Sequence, residues 1–455
     1  MAVPSSGVRT ATDRLGWRWE IPPFLPVNLG RRCFESGVCL PVGCDVLCIC
    51  ELPTKMFESL PVAPPDSILG LTDAFQKDQR TDKVNLTVGV YKDEAGQTPV
   101  LASVKKAEQR LWSDEKTKGY LGIDGLADFN RLVQELVFGD TVDAKRVAAV
   151  QSPGGTGALR VVADTIGAHY RGGTVWLTQP TWPNHPSIFQ AASLQTRYCP
   201  YLDATKTGLD LDAMLQSLQQ DARPGDIICL HGCCHNPTGI DPTAAQWDQI
   251  AERTAKLGML PLVDFAYQGF GDGLAADRVG LEALLKHHTE LVVCASFSKN
   301  FGLYSERVGA AMIVARDPSS AAATLSQMKL AVRANYSNPP RHGGAIVATI
   351  LGDDALRSLW ESEVDQMRGR ISSMRTALVQ GMHDAGSTRD FSFLLDQKGM
   401  FSYTGLNAMQ ADWLKSQKGI YLVGTGRINV AGLTPKNLTG VCQAITECLE
   451  STISS

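Results

Sequence analysis

Short apolar runs recur along the chain, each broken by a cluster of glycine, proline or hydroxyl residues. Residues 146–151, 174–178, 226–231, 260–264 and 291–295 are such runs and read as buried strands. Between them, 158–170, 211–218, 244–256 and 280–286 carry apolar residues at helical spacing. This alternation predicts an α/β fold around a mostly parallel sheet. Ahead of it, helices are expected over 66–80, 103–113 and 126–138, with a strand over 83–91 that ends near Gly89. Beyond it, 351–381 reads as a long helix, 391–403 and 419–431 as short strands, and 437–450 as a closing helix. The pattern changes from regular repetition to mixed short elements near residue 365. That change predicts a large domain over 99–366 and a smaller α+β domain built from 56–98 and 367–455.

Composition is that of an ordinary globular protein, 44% hydrophobic and 20% charged with a net charge of -4. No basic stripe offers itself to nucleic acid. No apolar run approaches the roughly 20 residues that span a bilayer. Seven of the 12 cysteines are dispersed in apolar runs and read as reduced, buried small residues of an intracellular enzyme. The other five, from Cys33 to Cys50, crowd into residues 1–55, a stretch rich in Pro and Gly without sustained periodicity. Arginine outnumbers acid in its first half. It reads either as a disordered extension before the natural start at Met56, or as a targeting segment of mitochondrial type. The cysteine spacings fit no zinc pattern, and no metal is expected. A cytoplasmic location is expected, with the mitochondrion as the alternative.

Candidate chemistry lies just past the strand ends, where open α/β sheets bind ligands. Lys299 follows the run 291–295 and is flanked by Ser296 and Ser298, with Arg307 and Gly309 downstream. An amine in such a place can form a Schiff base if burial or a nearby cation lowers its pKa. A solvated surface lysine is the plain alternative, and only the surrounding pattern argues against it. The loop Ser152-Pro-Gly-Gly-Thr-Gly157 joins a strand to a helix and bares backbone N–H groups at the positive end of the helix dipole. It is neither a Walker A loop nor a dinucleotide fingerprint. Trp182, His185, Asn236, Asp264 and Tyr267 also follow strands, so all should meet Lys299 at one sheet edge.

Several stretches together resemble the fold type I aspartate aminotransferases, the bacterial-type branch most closely. They are Val88-Gly-Val-Tyr91, Tyr120-Leu-Gly-Ile-Asp-Gly125, Pro153-Gly-Gly-Thr-Gly157, Trp182-Pro-Asn-His185 and His231-Gly-Cys-Cys-His-Asn-Pro-Thr-Gly239. Further on come Asp264-Phe-Ala-Tyr-Gln-Gly-Phe270, Ser296-Phe-Ser-Lys-Asn-Phe-Gly302, Glu306-Arg-Val-Gly309, Arg333-Ala-Asn-Tyr-Ser-Asn-Pro-Pro340 and Gly426-Arg-Ile-Asn-Val-Ala-Gly432. The resemblance runs from Met56 to the C-terminus. It implies a seven-stranded, mostly parallel sheet, pyridoxal 5'-phosphate as cofactor and a homodimer with shared active sites.

The resemblance also implies residue roles. Lys299 holds the cofactor in a Schiff base and shuttles a proton, while Asp264 pairs with the pyridinium nitrogen. Tyr267 and Asn236 bond the cofactor's 3'-oxygen, and Trp182 stacks on its ring. Gly155, Thr156, Ser296, Ser298 and Arg307 take the phosphate, with Tyr120 of the neighbouring subunit. His185 and His231 lie behind the cofactor. Arg427 clamps the substrate α-carboxylate. Arg333 reads the side-chain carboxylate across the dimer interface, and Gly89 lies where the N-terminal segment closes over the substrate.

Two carboxylate clamps imply transamination between L-aspartate and 2-oxoglutarate. The stretch Met400-Phe-Ser-Tyr-Thr-Gly405 is also the form seen in related aromatic aminotransferases, so activity on aromatic amino acids is an alternative. A lyase or decarboxylase on the same fold uses the same cofactor residues, but a second carboxylate clamp argues against it. A non-catalytic scaffold would not need both Lys299 and Asp264.

Overall fold

The computed structural model describes residues 57–58, 60–63, 69–170 and 173–451. The extension expected over 1–55, with its five cysteines, lies outside the described residues. In 57–63 the Leu60 N–H donates to Phe57 O at 3.3 Å, and Phe57 and Val62 are exposed. From Leu69 onward the chain falls in one unit, Pro64–Ser455. Among the described residues, no helix is long and apolar enough to cross a membrane.

In chain order the helices are α1 (Leu69–Lys77), α2 (Ala102–Asp114), α3 (Ala127–Phe138), α4 (Gly154–His169), α5 (His185–Ala191), α6 (Leu211–Asp221) and α7 (Ala244–Lys256). There follow α8 (Val279–His287), α9 (Pro318–Asn335), α10 (Arg341–Leu351), α11 (Asp354–Asp384), α12 (Ala408–Lys418) and α13 (Leu438–Glu450). The strands are β1 (Val84–Asn85), β2 (Val147–Pro153), β3 (Thr174–Gln179), β4 (Gln195–Pro200), β5 (Ile227–His231) and β6 (Leu260–Phe265). The rest are β7 (Leu291–Ser296), β8 (Val308–Val314), β9 (Phe401–Tyr403), β10 (Ile420–Tyr421) and β11 (Arg427–Asn429).

A seven-stranded sheet runs in the order β2-β8-β7-β6-β5-β3-β4. The strands from β7 to β4 pair in parallel, and β8 is antiparallel to both its neighbours. Alternate side chains of each strand enter different cores, as the period of two requires. Val263 and Val293 join one apolar cluster, Leu262 and Val292 the other. Both faces are therefore covered by helices, which explains why the strands read as unbroken apolar runs. Asp226 ties the start of β3 to β5 by accepting from Thr174 N and Trp176 Nε1, both at 2.9 Å.

A third cluster holds Leu86, Leu378, Leu414, Ile428 and Val441. It packs around two small pairings, β1 with β10 in parallel and β9 with β11 antiparallel. The strand expected over 83–91 is regular only at Val84–Asn85. Past Leu86, whose N–H and carbonyl still pair with the backbone of Tyr421 and Asn429, side chains replace a partner strand. Arg427 Nη2 donates to Thr87 O at 2.7 Å, and Asn429 Nδ2 donates to Val88 O and Val90 O. Expected strands 391–403 and 419–431 shorten for a related reason, since turns with Gly399 and Gly426 at positive φ interrupt them. Edge strand β4 was not anticipated: it has one neighbour and is largely exposed, so its sequence is polar. Helix α9 was not anticipated either, because only Ala321, Met328 and Val332 of its 18 residues are buried.

Candidate active site

The carboxyl ends of the parallel strands meet a cleft of 260 Å³. Of the residues the strand-end pattern predicts, Trp182, Asn236, Asp264, Tyr267 and Lys299 line it, while His185 does not; Gly89, Gly155, Thr156, Ser296, Ser298, Arg307 and Arg427, implied by the resemblance, line it too. At one end α4 starts directly from β2, with N–H groups in its first turn that no helical carbonyl can accept from. Gly154 at φ +77 lets Arg307 fold over this turn, because a Cβ there would sit 2.6 Å from Arg307 Nη2. Arg307 itself adopts φ 54, a left-handed conformation that costs about 1–2 kcal/mol for a residue with a Cβ. Its Nη1 donates to Ser298 Oγ at 3.3 Å and to Tyr304 O at 3.0 Å. Amides, two hydroxyls and a guanidinium thus converge on a space suited to an anion.

Lys299 stands in the middle. The loop carrying it is fastened from behind by α11, where Trp360 stacks on Phe301 at 4.3 Å and donates Nε1 to Asn300 O at 2.8 Å. Lys299 Nζ lies 4.7 Å from the Tyr267 ring centroid. Burial lowers its pKa; Arg307 adds to this and Asp264 opposes it. Tyr267 is buried and its phenol is pushed far upward, first by desolvation and then by Asp264.

Asp264 ends β6. Desolvation alone would raise its pKa, but the hydrogen bond from His185 and the electrostatic influence of the neighbouring His185, His231 and Lys299 side chains bring it below the ordinary value. His185 Nε2 meets Asp264 Oδ2 at 3.0 Å, and His185 Nδ1 meets Thr181 Oγ1 at 2.8 Å. His231 packs 5.1 Å from the His185 ring, with both ring nitrogens buried and without a hydrogen-bond partner among the described residues. Burial drives its pKa down to about 3. His185, His231 and Asp264 bring ligand-type atoms within 4.8 Å of one another. The His185 hydrogen bond already engages one Asp264 oxygen.

Arg427 closes the far end, 2% exposed. Its Nη1 donates to Asn236 Oδ1 at 3.1 Å. Burial lowers its pKa to about 10. The Phe401 ring centroid lies 4.2 Å from its guanidinium carbon, a cation–π contact. Gly89 passes over this ring, and a Cβ on Gly89 would stand 2.5 Å from Phe401 Cζ.

Two expected residues are absent from this chain's cleft. Tyr120 is 96% exposed, and Arg333, in the last turn of α9, is exposed and donates to Ser337 Oγ just past the helix. The cleft also holds Ala266, Tyr304 and Phe401, which carried no expected role. Tyr304 accepts the Tyr91 N–H at 2.9 Å and so fastens the N-terminal segment. It lies in sequence between Lys299 and Arg307, and that was the available signal.

The donor set fits pyridoxal 5'-phosphate. The anion cradle, the buried amine and the buried carboxylate backed by His185 answer its phosphate, aldehyde and ring nitrogen respectively. Gly155 keeps the cradle open, since a Cβ there would come within 3.0 Å of Ser296 Cβ.

The profile of the family described as aminotransferase class I and II matches residues 81–445. The aspartate aminotransferase of Escherichia coli is 52% identical over 397 residues, covering 87% of this chain and all of that protein. The aromatic-amino-acid aminotransferase of Pseudomonas aeruginosa is 44% identical over 394 residues, covering 86% and 98% of the two chains. The crystal structure of an aromatic-amino-acid aminotransferase from Burkholderia pseudomallei, covalently bound to pyridoxal phosphate, superposes with a TM-score of 0.84 at 44% identity, covering 87% of this chain and all of that one.

Proposed function

The chain belongs to the class I and II aminotransferases, and from that premise we propose that it transfers the amino group of L-aspartate to 2-oxoglutarate. The products are oxaloacetate and L-glutamate, the cofactor is pyridoxal 5'-phosphate, and aromatic amino acids are secondary substrates. One observation carries this reading. A single cleft aligns an anion cradle, a buried amine, a buried carboxylate and a buried guanidinium.

When bound, pyridoxal phosphate supplies an electron sink for the pair released at the substrate Cα. The chain's own residues do the rest. Gly155, Thr156, Ser296, Ser298 and Arg307 hold the phosphate. Trp182 covers the ring face, and Tyr267 and Asn236 meet its 3'-oxygen. Lys299 Nζ would carry the proton from the substrate Cα to the cofactor's C4' carbon; its lowered pKa suits a base. Asp264 stays ionised and holds a positive ring nitrogen. Arg427 receives the α-carboxylate in a fork that Asn236 aims. The segment around Gly89 closes over the substrate and excludes water. In this reading 99–366 form the large domain, and 56–98 with 367–455 form the small one.

Tyr120 and Arg333 serve the neighbouring subunit's cleft in a homodimer. Their exposure on the single chain supports this. The enzyme is read as cytoplasmic, with residues 1–55 as a mitochondrial address in the alternative.

An absorbance spectrum tests the reaction. A cofactor band should move to shorter wavelength when L-aspartate is added, with oxaloacetate released. No band after supplying pyridoxal phosphate would overturn the reading, and carbon dioxide release in place of transamination would indicate a decarboxylase.

Arg333→Asp tests specificity. It should lower kcat/KM for L-aspartate by roughly a hundredfold or more while sparing L-phenylalanine, since a repelled carboxylate replaces a paired one. An unchanged aspartate-to-phenylalanine ratio would remove Arg333 from the site. Gly89→Ala tests the closing segment. The new methyl must displace Phe401, which is confined between Arg427 and Tyr267. Steady-state kinetics should show kcat/KM for L-aspartate reduced about ten- to hundredfold.

A further inference from the structure

Arg375 on α11 is 5% exposed, yet among the described residues it meets no carboxylate. A buried cation without a counter-ion is costly unless its donors are well used. All of its acceptors lie on one short segment. Nε donates to Ser402 Oγ at 3.2 Å, and Nη2 donates to Gly399 O and, at 3.5 Å, to Phe401 O. A rigid planar fork suits such a set better than an ammonium does.

That segment carries the ring that covers Arg427. In the ribbon of β9 and β11, Tyr403 lies opposite Arg427, Ser402 opposite Ile428 and Phe401 opposite Asn429. Alternation places Phe401 and Arg427 on one face of the ribbon and Ser402 on the other. Arg375 therefore grips the ribbon from behind while Phe401 acts in front. Gly399 also abuts the loop carrying Asn236, because a Cβ there would stand 2.4 Å from Cys234 Cβ. Both groups that aim the Arg427 guanidinium, the Phe401 ring and the Asn236 amide, thus rest on the held segment. The same helix fastens the Lys299 loop through Trp360, so α11 references both ends of the reacting site to one rigid element.

We propose that Arg375 is a positioning residue for the substrate: through Gly399, Phe401 and Ser402 it sets the geometry in which Arg427 receives the α-carboxylate. The inference rests on the reading of Arg427 as that clamp. Arg375→Lys keeps the charge and removes the fork. In the holoenzyme it should raise KM for L-aspartate roughly tenfold with kcat changed less than about threefold, because the clamp acts on bound substrate before the chemical step. The dissociation constant of succinate, measured by calorimetry, should rise by about the same factor. Since Arg375 acts through Phe401, the double variant Arg375→Lys/Phe401→Leu should show no higher KM than Phe401→Leu alone.

Independent, multiplying effects in that cycle would overturn the role, as would unchanged KM and succinate affinity. If Arg375→Lys fails to fold, Ser402→Ala removes one acceptor and should raise KM about two- to threefold; no change there would also overturn the role. Arg427→Leu separates the two levels. If it leaves KM unchanged, the clamp itself is misassigned; if it raises KM while Arg375→Lys does not, only the positioning role falls.

Discussion

Lys299→Ala is expected to lower kcat by at least about four orders of magnitude, because on the proposed reading it removes both the covalent attachment point and the proton carrier. The cradle at the N-terminus of α4 is untouched, so the variant should still take up pyridoxal phosphate. A turnover within tenfold of the parent would end the assignment of Lys299. Unfolding must be separated from lost chemistry, and the buried charge provides the means. Burial lowers the Lys299 pKa from 10.5. Between the lowered value and 10.5 the unfolded chain binds more protons than the folded one, so this residue makes stability rise with pH across that window. Below that window its cost is fully present. Lys299→Met keeps the apolar stem and removes the ammonium. The Tm of its cofactor-free form should therefore equal or exceed that of the cofactor-free parent at pH 7, and the two should converge as pH approaches 10. A Tm several degrees below the parent at pH 7 would mean that the ammonium stabilises the fold, contrary to its burial.

The sheet was legible because both of its faces are covered: five of its strands appear as apolar runs, and the polar residues that follow each run mark the edge where the cleft opens. Strand β8 was recognisable only as one more apolar run, since nothing in composition distinguishes an antiparallel neighbour. The short strands of the other core were less legible. Segment 87–90 looks like strand but is held by Arg427 and Asn429 side chains, a partner far away in sequence. The cleft residues nearest Lys299 were found because each follows a strand. Phe401 escaped because its importance arises from stacking on Arg427, and the register of β9 against β11 creates that contact. Tyr120 and Arg333 show the opposite case: their motifs stand out in the sequence, while the single chain leaves both side chains at its surface.

Asp264→Asn is expected to lower kcat roughly a thousandfold, the scale seen when a fixed charge that stabilises developing charge is removed from a dry site. The side chain is 6% exposed and one of its oxygens meets His185 Nε2 at 3.0 Å. Asparagine keeps that shape and can still bond His185, so Tm should fall little while activity falls far. Asp264→Glu keeps the charge and should retain more activity than Asp264→Asn despite fitting worse. Recovery in the opposite order would show that shape, not charge, is what the site needs. The pH dependence sharpens the distinction. The Asp264 pKa is held below its ordinary 3.8, so the carboxylate is ionised throughout the neutral range. Its stabilising contribution is present above 3.8 and is lost as pH falls through the lower folded value. The parent should thus show no acid limb from Asp264 near neutrality, in kcat or in Tm. His231, driven to about 3 by burial, likewise stays neutral there. On the proposed reading Asp264 supplies the negative charge at the ring nitrogen, and His231, neutral behind it, does not replace that charge when it is removed.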